Sequence, residues 1–512
     1  MRFNRMTFSG GYGFHPNSRN CKIDVFFRNA CLPSNDKMLD CVDNFEKSVY
    51  NIGMNGGITM LVRFSVENYM SFKEPQVFSM AADKGTRHST HVASAGSKRL
   101  LKGSFLFGAN ASGKSNFIHA IDFMRKAVRA GNTKVLKNRD KYFRIDSSCS
   151  NKPGIFQVDI VAENHLYSYG FALNYLSREF VAEWLYEIED TKELCIFDRD
   201  VTTSEVQTDL DFKRHSKDGM RYEVYKSDVP ADHLFLSDIA QREIESASLF
   251  QHFKRVYKWF LDVIVIYPDS HNIQITDYFT NNENNVTLSQ MLSDFDTGIE
   301  SLSSDKKAIS EALAFIPKDI REKIINDIEE ELQKKSDDSS AFMRGKKLTI
   351  AIKNRRFNIS IEDGELQAEE LQMNHGNASD LFDILDESDG TQRLFDLIPA
   401  YQSLKEGKII FIDEIDRSFH SKLTKEYIRR YFAITNGQSC QLICTTHDLN
   451  LMSLDLLRKD EIWFVERNEH HSSNLYSLSE FKTRCDKDVL KNYVQGRYGA
   501  IPCISESDYE GA

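Results

Sequence analysis

One octapeptide constrains this chain more than any other feature. Residues 108–115 read GANASGKS and fill every fixed position of the phosphate-binding pattern G-x-x-x-x-G-K-[ST]. The flanks also fit, because Arg99–Phe107 ends in an apolar run suited to a buried strand and Asn116–Val128 repeats apolar residues at helical spacing. The alternative, a chance glycine-rich turn, is disfavoured by this context. The sequence therefore predicts a P-loop in an α/β domain.

Each fixed position of the loop has a chemical reason. Gly108 and Gly113 let the backbone curl so that successive N–H groups point at phosphate oxygens, with the positive end of the following helix behind them. Lys114 is predicted to bridge the terminal phosphates, and Ser115 is predicted to ligate the metal. The expected ligands are therefore ATP and Mg²⁺.

Composition limits the class of protein. The 512 residues carry 65 Lys and Arg against 76 Asp and Glu, so the net charge is −11. This argues against a protein that coats nucleic acid with its whole surface, although a local basic groove stays possible. No apolar run approaches the roughly 18 residues of a membrane-spanning helix, and the N-terminus lacks the apolar segment of a signal peptide. Nine cysteines without a C-x-x-C pair indicate neither a zinc ribbon nor a disulfide framework. We expect a cytoplasmic protein without a membrane partner.

Residues 1–59 differ from the rest of the chain. They are rich in Asn, Gly and Ser and show no sustained periodicity, whereas a clean alternating strand begins at Met60. Codons for Gly56-Gly57 can contain GGAGG, a ribosome-binding sequence just upstream of Met60. We expect the native chain to start at Met60, which makes 1–59 a non-native extension. A genuine flexible arm is the alternative.

Segment 60–265 is predicted to be a first lobe that contains the P-loop and an antiparallel sheet. Alternating runs joined by short polar turns indicate the sheet. These runs are Phe156–Ala162, Leu166–Leu173, Trp184–Glu189 and Leu194–Asp198. Leu234–Val263 then reads as helical, with an aromatic face that is typical of a core.

Segment 266–375 is predicted to be a helical insert with a β-ribbon. Val286–Asp338 is charged and carries a narrow apolar face, as in a helical arm or a short coiled-coil hairpin. Lys347–Ile361 followed by Asp363-Gly364 indicates the ribbon. Basic residues cluster there: Lys346, Lys347, Lys353, Arg355 and Arg356. A solvated ribbon face is favoured, with a nucleic-acid or partner contact as the alternative.

Segment 376–512 is predicted to be a second lobe that completes the site. Lys408–Glu414 reads KIIFIDE, a buried strand that ends in two carboxylates, as in a Walker B segment. Asp413 is predicted to hold Mg²⁺ and Glu414 to polarise the attacking water. Two acids can also simply cap a strand, but a P-loop in the same chain favours the Walker B interpretation.

A histidine follows the next apolar strand. Gln441–Thr446 (QLICTT) runs directly into His447-Asp448. A histidine at a strand terminus beside a nucleotide is able to donate to the γ-phosphate, whereas a lone histidine there is usually structural. The position of His447 after Walker B favours the functional interpretation.

A serine and a glycine precede a further helix. Glu387–Arg393 reads ESDGTQR, and Ser388 and Gly390 opening a helix resemble the signature motif of ABC-type ATPases, which binds a γ-phosphate. Ser-x-Gly before a helix is also an ordinary N-cap. The motif alone leaves both interpretations open.

The order of motifs resembles one family. The chain is similar, from about Met60 to Pro502, to the ABC-type ATPases of the AAA-family group that contains the abortive-infection AbiL-type and RloA-type bacterial proteins. The motifs that carry the resemblance are GANASGKSN, ESDGTQRLFDL, KIIFIDEIDRSFH, QLICTTHD, RKDEIWFVER and GRYGAIP. Two features depart from the pattern: the signature is ESDGT rather than LSGGQ, and the Q-loop glutamine has no clear position, Gln157 being a candidate.

The resemblance implies a role for each motif residue. Nucleotide contacts are implied for Gly108, Asn110, Ser112, Gly113, Lys114, Ser115 and Asn116. It places Asp413 with Ser115 on Mg²⁺ and makes Glu414 the catalytic base. His447 is the implied switch histidine. Ser388 and Gly390 are expected to act in trans, in the site of a second subunit.

These observations predict an α/β P-loop NTPase of the ABC-ATPase type, with an antiparallel β-subdomain and a helical insert. The expected function is Mg²⁺-dependent ATP hydrolysis by a homodimer or higher homo-oligomer, in a bacterial anti-phage (abortive infection) system with an effector protein from a neighbouring gene. The alternative is a DNA-repair or recombination ATPase of the chromosome-maintenance type, which the acidic balance and the short insert disfavour. A transporter subunit and a fused nuclease fit less well.

Overall fold

The helix that follows the P-loop lies between two β-sheets. The computed structural model describes residues 57–135, 141–189, 192–213, 215–269, 282–334, 347–352, 355–362, 365–377, 379–481 and 488–502. These residues belong to one compact unit, Gly57–Ala512. Residues 1–56 lie outside the described residues. The expected start of the native chain at Met60 therefore stays a prediction.

The chain up to residue 266 supplies a seven-stranded sheet, a two-stranded sheet and two strands of a six-stranded sheet. Its elements are β1 (Met60–Glu67), β2 (Gln76–Ser79), β3 (Val92–Ala95), β4 (Lys98–Leu101), β5 (Gly103–Phe107), α1 (Lys114–Ala130), β6 (Gly154–Ala162), β7 (His165–Asn174), β8 (Glu179–Ile188), β9 (Glu193–Asp200), β10 (Glu205–Gln207), α2 (Lys217–Asp228), α3 (Phe235–Ala240), α4 (Gln251–Asp262) and β11 (Val263–Ile266). In the described part, seven strands pair in the order β10-β9-β8-β7-β6-β1-β2, all antiparallel. The antiparallel sheet predicted from the alternating runs is confirmed.

The prediction of one continuous helix over Leu234–Val263 is wrong in its middle. The structure has α3 and α4 instead, separated by residues 241–250. The fully buried Glu183 fixes the start of α3, because its carboxylate accepts the N–H groups of Phe235 and Leu236. Before α4, the Ser248 hydroxyl accepts the Phe250 N–H at 3.1 Å, a local bond that competes with a helical one.

The middle of the chain forms its own small sheet. Its elements are α5 (Asn282–Asp294), β12 (Ser301–Ala308), α6 (Ile309–Ala312), α7 (Lys318–Lys334), β13 (Lys347–Ile352), β14 (Arg355–Glu362), β15 (Glu365–Asn374) and β16 (Phe382–Asp383). The strands run in the order β12-β15-β14-β13, with β16 beside β15. The β-ribbon is confirmed. The helix predicted over Val286–Asp338 is wrong at β12, because pairing with β15 overrides the helical propensity of a polar segment.

The basic cluster predicted on the ribbon is described only in part. Arg355 pairs with Glu370 and lies near the rings of Phe315 and Phe357. Lys346 and Lys353, and the side chains of Lys347 and Arg356, lie outside the described residues. The described member is therefore engaged within the insert itself.

The last part of the chain completes a parallel sheet. It contains α8 (Asp389–Lys405), β17 (Ile409–Ile412), α9 (Ser421–Ile434), β18 (Gln441–Thr445), β19 (Ile462–Arg467), β20 (Ser473–Ser477) and α10 (Val489–Val494). The described order is β11-β17-β18-β5-β19-β20, and every pair is parallel except β19 with β20. β5 and β11 thus join strands that lie about 150 or more residues later in the chain, so long crossovers place the motifs side by side.

The parallel sheet is covered on both faces, as sheets of this kind require. On one face Leu106, Phe411 and Ile443 pack in a core with α1, α4 and the antiparallel sheet. On the other, Ile410 and Cys444 pack against α8 and α9. Cys440 and Cys444 are buried in this core as free thiols. Among the described helices, none is long and apolar enough to cross a membrane.

Candidate functional site

The predicted site residues meet at one edge of the parallel sheet. β5, β17 and β18 run in the same direction, so their carboxyl ends lie at the same edge. The P-loop follows β5, Asp413 and Glu414 follow β17, and His447 follows β18. This is the edge at which open α/β sheets bind ligands.

The P-loop backbone leaves no room for side chains at its glycines. Gly113 has φ 110°, in the left-handed region, and a Cβ built on it would lie 2.7 Å from the Ser71 hydroxyl and against that of Ser473. The Ser473 hydroxyl donates to the Ser112 carbonyl at 2.5 Å. Ser71 and Ser473, which the sequence motifs did not identify, therefore brace the loop from outside.

The P-loop lysine is folded onto its own loop. Lys114 Nζ donates to the carbonyl oxygens of Gly108 at 2.8 Å and Ala109 at 3.0 Å. Burial lowers the pKa of the ammonium to about 8, while Asp413, among other carboxylates, partly offsets that effect. A buried cation beside a glycine-rich backbone is suited to polyanions such as phosphates.

The aspartate of the predicted Walker B segment contacts the P-loop serine. Asp413 Oδ1 lies 3.2 Å from Ser115 Oγ and accepts a 2.6 Å hydrogen bond from the Thr445 hydroxyl. Asp413 is 4% exposed. A hydroxyl and a carboxylate suit Mg²⁺, which usually takes few protein ligands besides phosphates and waters. The described residues contain no group of three or more His, Cys, Asp or Glu side chains that could hold a metal ion by itself.

The second acid of the predicted Walker B segment has a strained backbone. Glu414 has φ 50°, in the left-handed region that non-glycine residues rarely adopt. Its N–H donates to the Thr445 hydroxyl at 2.8 Å, so Thr445 holds both acids. Strain of this kind is concentrated at functional sites. Thr445 was missed by motif reasoning, although its hydroxyl at the end of QLICTT was a usable signal.

His447 lies beside this acid. Its Nε2 is 3.7 Å from Glu414 Oε1, and its backbone N–H donates to both oxygens of Asp416, at 3.1 and 3.2 Å. Asp416, the third acid of DEID, was also missed, and it fixes the loop that carries the histidine. The structure therefore brings Lys114, Glu414 and His447 to one place.

The remaining P-loop residues differ in their surroundings. The Ser112 hydroxyl is buried and has no hydrogen-bond partner among the described residues, as expected of a group that contacts a ligand. Asn116 instead donates to the Ser71 hydroxyl at 2.7 Å, and Asn110 is exposed at the tip of the loop. The structure thus gives Asn116 a bracing contact.

The signature residues are engaged within their own turn. Ser388 is the N-cap of α8, and its hydroxyl accepts the Thr391 N–H at 3.1 Å. A Cβ on Gly390 would lie 2.9 Å from the Ser418 carbonyl, so the turn packs on the loop that follows Glu414. In the described residues no hydrogen bond joins Ser388 or Gly390 to the P-loop.

The Q-loop candidate lies in the other sheet. Gln157 is buried in β6, and its amide donates to Asp159 at 3.2 Å and Ser168 at 3.0 Å. The residue that follows the strand beside Walker B is Tyr267, after β11. The structure thus gives Gln157 structural partners away from Asp413 and Glu414.

One comparison with known proteins identifies a family. A family model described as "AAA domain, putative AbiEii toxin, Type IV TA system" matches residues 104–453, more than half of the chain. No curated protein gives a significant match.

Three similar solved structures are SMC heads. The SMC head domain from Thermotoga maritima gives 12% identity and a TM-score of 0.36, covering 81% of this chain and 98% of its own. The SmcHead bound to the C-winged helix domain of ScpA gives 11% and 0.35, covering 81% and 97%. The Smc head with an extended coiled coil, bound to the C-terminal domain of ScpA derived from Pyrococcus furiosus, gives 12% and 0.36, covering 82% and 96%. At these TM-scores the likenesses support no conclusion about function.

Proposed function

The chain belongs to this AAA-domain family of P-loop ATPases, and on that premise we propose that it hydrolyses ATP as an ABC-type dimer. One observation carries the proposal: the P-loop lysine, both Walker B acids and His447 converge at the carboxyl edge of the parallel sheet. Ser115 Oγ, 3.2 Å from Asp413 Oδ1, links the two motifs directly.

The side chains suggest a division of labour. Lys114 and the loop N–H groups would hold the phosphates of ATP. Ser115 and Asp413 would hold Mg²⁺, which neutralises phosphate charge when bound. Glu414 would accept a proton from water as its oxygen attacks the γ-phosphorus and the bond to the β–γ bridging oxygen breaks, which yields ADP and phosphate. His447, beside Glu414, would donate to a γ-phosphate oxygen.

The signature turn supports a second subunit in the site. Ser388 and Gly390 make no described hydrogen bond to the P-loop of their own chain. The N-terminus of α8, a 17-residue helix, offers N–H groups and a positive dipole to an anion. We therefore assign Ser388 and Gly390 to the γ-phosphate bound by the partner, so that the two subunits separate after hydrolysis.

The family description and the motif resemblance support a proposal for the biological setting. The matching family is described as a putative AbiEii toxin of type IV toxin–antitoxin systems. We propose an anti-phage (abortive infection) role, close to the AbiL- and RloA-type group, with an effector encoded by a neighbouring gene. Bacteria that carry the native locus should resist a phage that plates normally on cells carrying Lys114→Ala. Equal plating on both strains would remove the defence role but not the ATPase.

Two variants test the composite dimer. Glu414→Gln keeps Lys114, Ser115 and Asp413, so it should bind Mg-ATP while hydrolysis slows by about 10²–10⁴, the usual scale for a general base. It should therefore accumulate an ATP-dependent dimer in light scattering. Adding Ser388→Arg should disperse that dimer, because the bulk of the arginine side chain then fills the space for the partner's nucleotide, while monomeric ATP binding is retained.

Three other outcomes are considered for these two variants. Equal ATP-driven association with and without Ser388→Arg would show that Ser388 only caps α8. Where the protein is an oligomer through other surfaces, crosslinking between the two heads replaces light scattering. Wild-type hydrolysis in Glu414→Gln would exclude Glu414 as the base.

A further inference from the structure

A buried arginine follows the signature turn on the same helix. Arg393 is five residues after Ser388 on α8 and is 5% exposed. Its Nη1 donates to the Tyr267 carbonyl at 3.0 Å. Its Nε and Nη2 are buried and have no hydrogen-bond partner within the described ranges. Because buried polar groups are nearly always paired, these two N–H positions require an explanation.

The acceptor of this bond belongs to a junction of the nucleotide site. Tyr267 follows β11, and the carbonyl of Ile266 accepts the backbone N–H of Asp413 at 2.9 Å. The Tyr267 hydroxyl donates to Asp122 Oδ2 at 2.8 Å and lies 3.1 Å from His119 Nδ1. Asp122 and His119 lie on α1, the P-loop helix. Residues 266–267 therefore touch Walker B, the P-loop helix and the signature helix.

The guanidinium of Arg393 is buried and lies near charged groups of the site. Burial lowers the pKa of Arg393, and the nearby carboxylates of Asp396 and Asp413 work in the opposite direction. A guanidinium presents Nε and Nη2 as a planar fork that suits two oxygens of one acceptor. The present arrangement uses one bond and leaves this fork unpaired. If the segment around Asp413 moves slightly, Nε and Nη2 of Arg393 are available to form new hydrogen bonds.

We propose that Arg393 is a positioning residue that couples nucleotide binding at its own P-loop to the orientation of Ser388 and Gly390. The inference rests on the proposed function, since it concerns the signature turn that would serve the partner. With Mg²⁺-ATP held by Ser115 and Asp413, the backbone N–H of Asp413 would shift the Ile266 carbonyl to which it donates. The bond from Arg393 to the Tyr267 carbonyl would transfer that shift to the first turn of α8. A subunit then presents its signature turn correctly only when its own site is filled.

Hydrogen exchange on a monomeric background tests the coupling within one chain. Ser388→Asp keeps an N-cap but places negative charge toward a partner's phosphate, so this background should remain monomeric in ATP. Mg-ATP should slow amide exchange both in peptides that cover 108–120 and in peptides that cover 388–396. Adding Arg393→Met should abolish the response at 388–396 and leave the response at 108–120. Lys405→Met, an exposed cation on the same helix, is the matched control and should keep both responses.

Arg393→Lys protects the test against a folding defect. Lysine retains the charge and one donor for the Tyr267 carbonyl but lacks the fork, so it should keep part of the response at 388–396. With Ser388 restored, Arg393→Lys should lower kcat without raising KM for ATP, a split that loss of packing alone does not produce.

The two proposals fail in different ways. No ATP response at 108–120 in the background variant would overturn the nucleotide site, and the coupling with it. A response at 108–120 but none at 388–396, or a full response at 388–396 in Arg393→Met, would overturn the coupling and leave the ATPase assignment in place.

Discussion

The two halves of the candidate site differ in how their polar groups are satisfied. In the Walker half, side chains from three separate strand ends contact one another: Ser115 meets Asp413, Thr445 bonds both Walker B acids, and Glu414 lies beside His447. In the signature half, the Ser388 hydroxyl is satisfied within its own helical turn. One half is thus assembled by a single chain, whereas the other acts in that chain only as a helix cap.

This difference means that the contacts within one chain indicate the chemistry of the Walker half more directly than that of the signature half. A cluster that contains a strained Glu414 and a lysine with a lowered pKa is costly to maintain, so its chemistry can be read from its own contacts. An N-cap is stabilising by itself and has no such cost. Variants that separate capping from catalysis therefore test whether the signature half belongs to the site.

The largest effect is expected in the Walker half. Lys114→Ala removes the mobile cation of the phosphate cradle and should abolish ATP turnover. Circular dichroism should stay unchanged, because among the described residues the ammonium donates to two carbonyls, both in the loop. Phosphate release with Mg-ATP measures the turnover. Hydrolysis near the wild-type rate would show that the working nucleotide site lies elsewhere.

The next effect separates a cap from a ligand contact in the signature half. Ser388→Asp retains a good N-cap, whereas Ser388→Ala loses a cap that contributes about 1 kcal/mol. If Ser388 meets the partner's phosphate, Ser388→Asp should keep its melting temperature and lose turnover by ~10². Ser388→Asn, a neutral N-cap, is the control. Wild-type turnover in Ser388→Asp would reduce the signature half to a structural turn.

A pH series tests the protonation state of Lys114 in the Walker half. Because burial lowers the pKa of Lys114 to about 8, free protein loses the ammonium above that pH, and the Kd for ATP should rise about tenfold per pH unit. Raising the pH weakens ATP binding but should stabilise the fold. Between pH 8 and 10.5 the unfolded chain binds more protons than the folded chain, so the free energy of unfolding without nucleotide should rise there relative to Lys114→Met. Calorimetric titration and thermal melts measure both. A flat Kd from pH 7 to 9.5 would contradict the lowered pKa.

The sequence alone was sufficient to locate those motifs in which the chemistry of phosphate binding fixes the spacing of the residues. GANASGKS follows β5, and KIIFIDE contains β17. Hydrophobic runs that end in polar residues identified β5, β17 and β18. The alternating runs identified the antiparallel sheet, since alternation is typical of antiparallel strands. The roles of Lys114, Glu414 and His447 remain predictions for the experiments above.

The errors arose where local pattern does not decide structure. Ser301–Ala308 has a polar, helix-compatible composition, and only pairing with β15 makes it a strand. Gln157 was considered because of its residue type, but its neighbours in β6 and β7 take up its amide. Thr445 and Arg393 depend on contacts between segments far apart in sequence, which no short motif contains.

The smallest expected effect concerns how Thr445 holds the two acids of the Walker half. Thr445→Val keeps a β-branched side chain in a buried strand but removes the hydroxyl that donates to Asp413 at 2.6 Å and accepts the Glu414 N–H at 2.8 Å. A hydrogen bond of this kind contributes about 0.5–1.5 kcal/mol, so kcat should fall about fivefold as the left-handed Glu414 loses its support. ATP binding should change less, because Lys114 and Ser115 are untouched. Thr445→Ser, which keeps the hydroxyl, should stay near wild type. An equal loss in both variants would assign Thr445 to packing, and no loss in either would mean that other contacts hold Glu414 in its strained conformation.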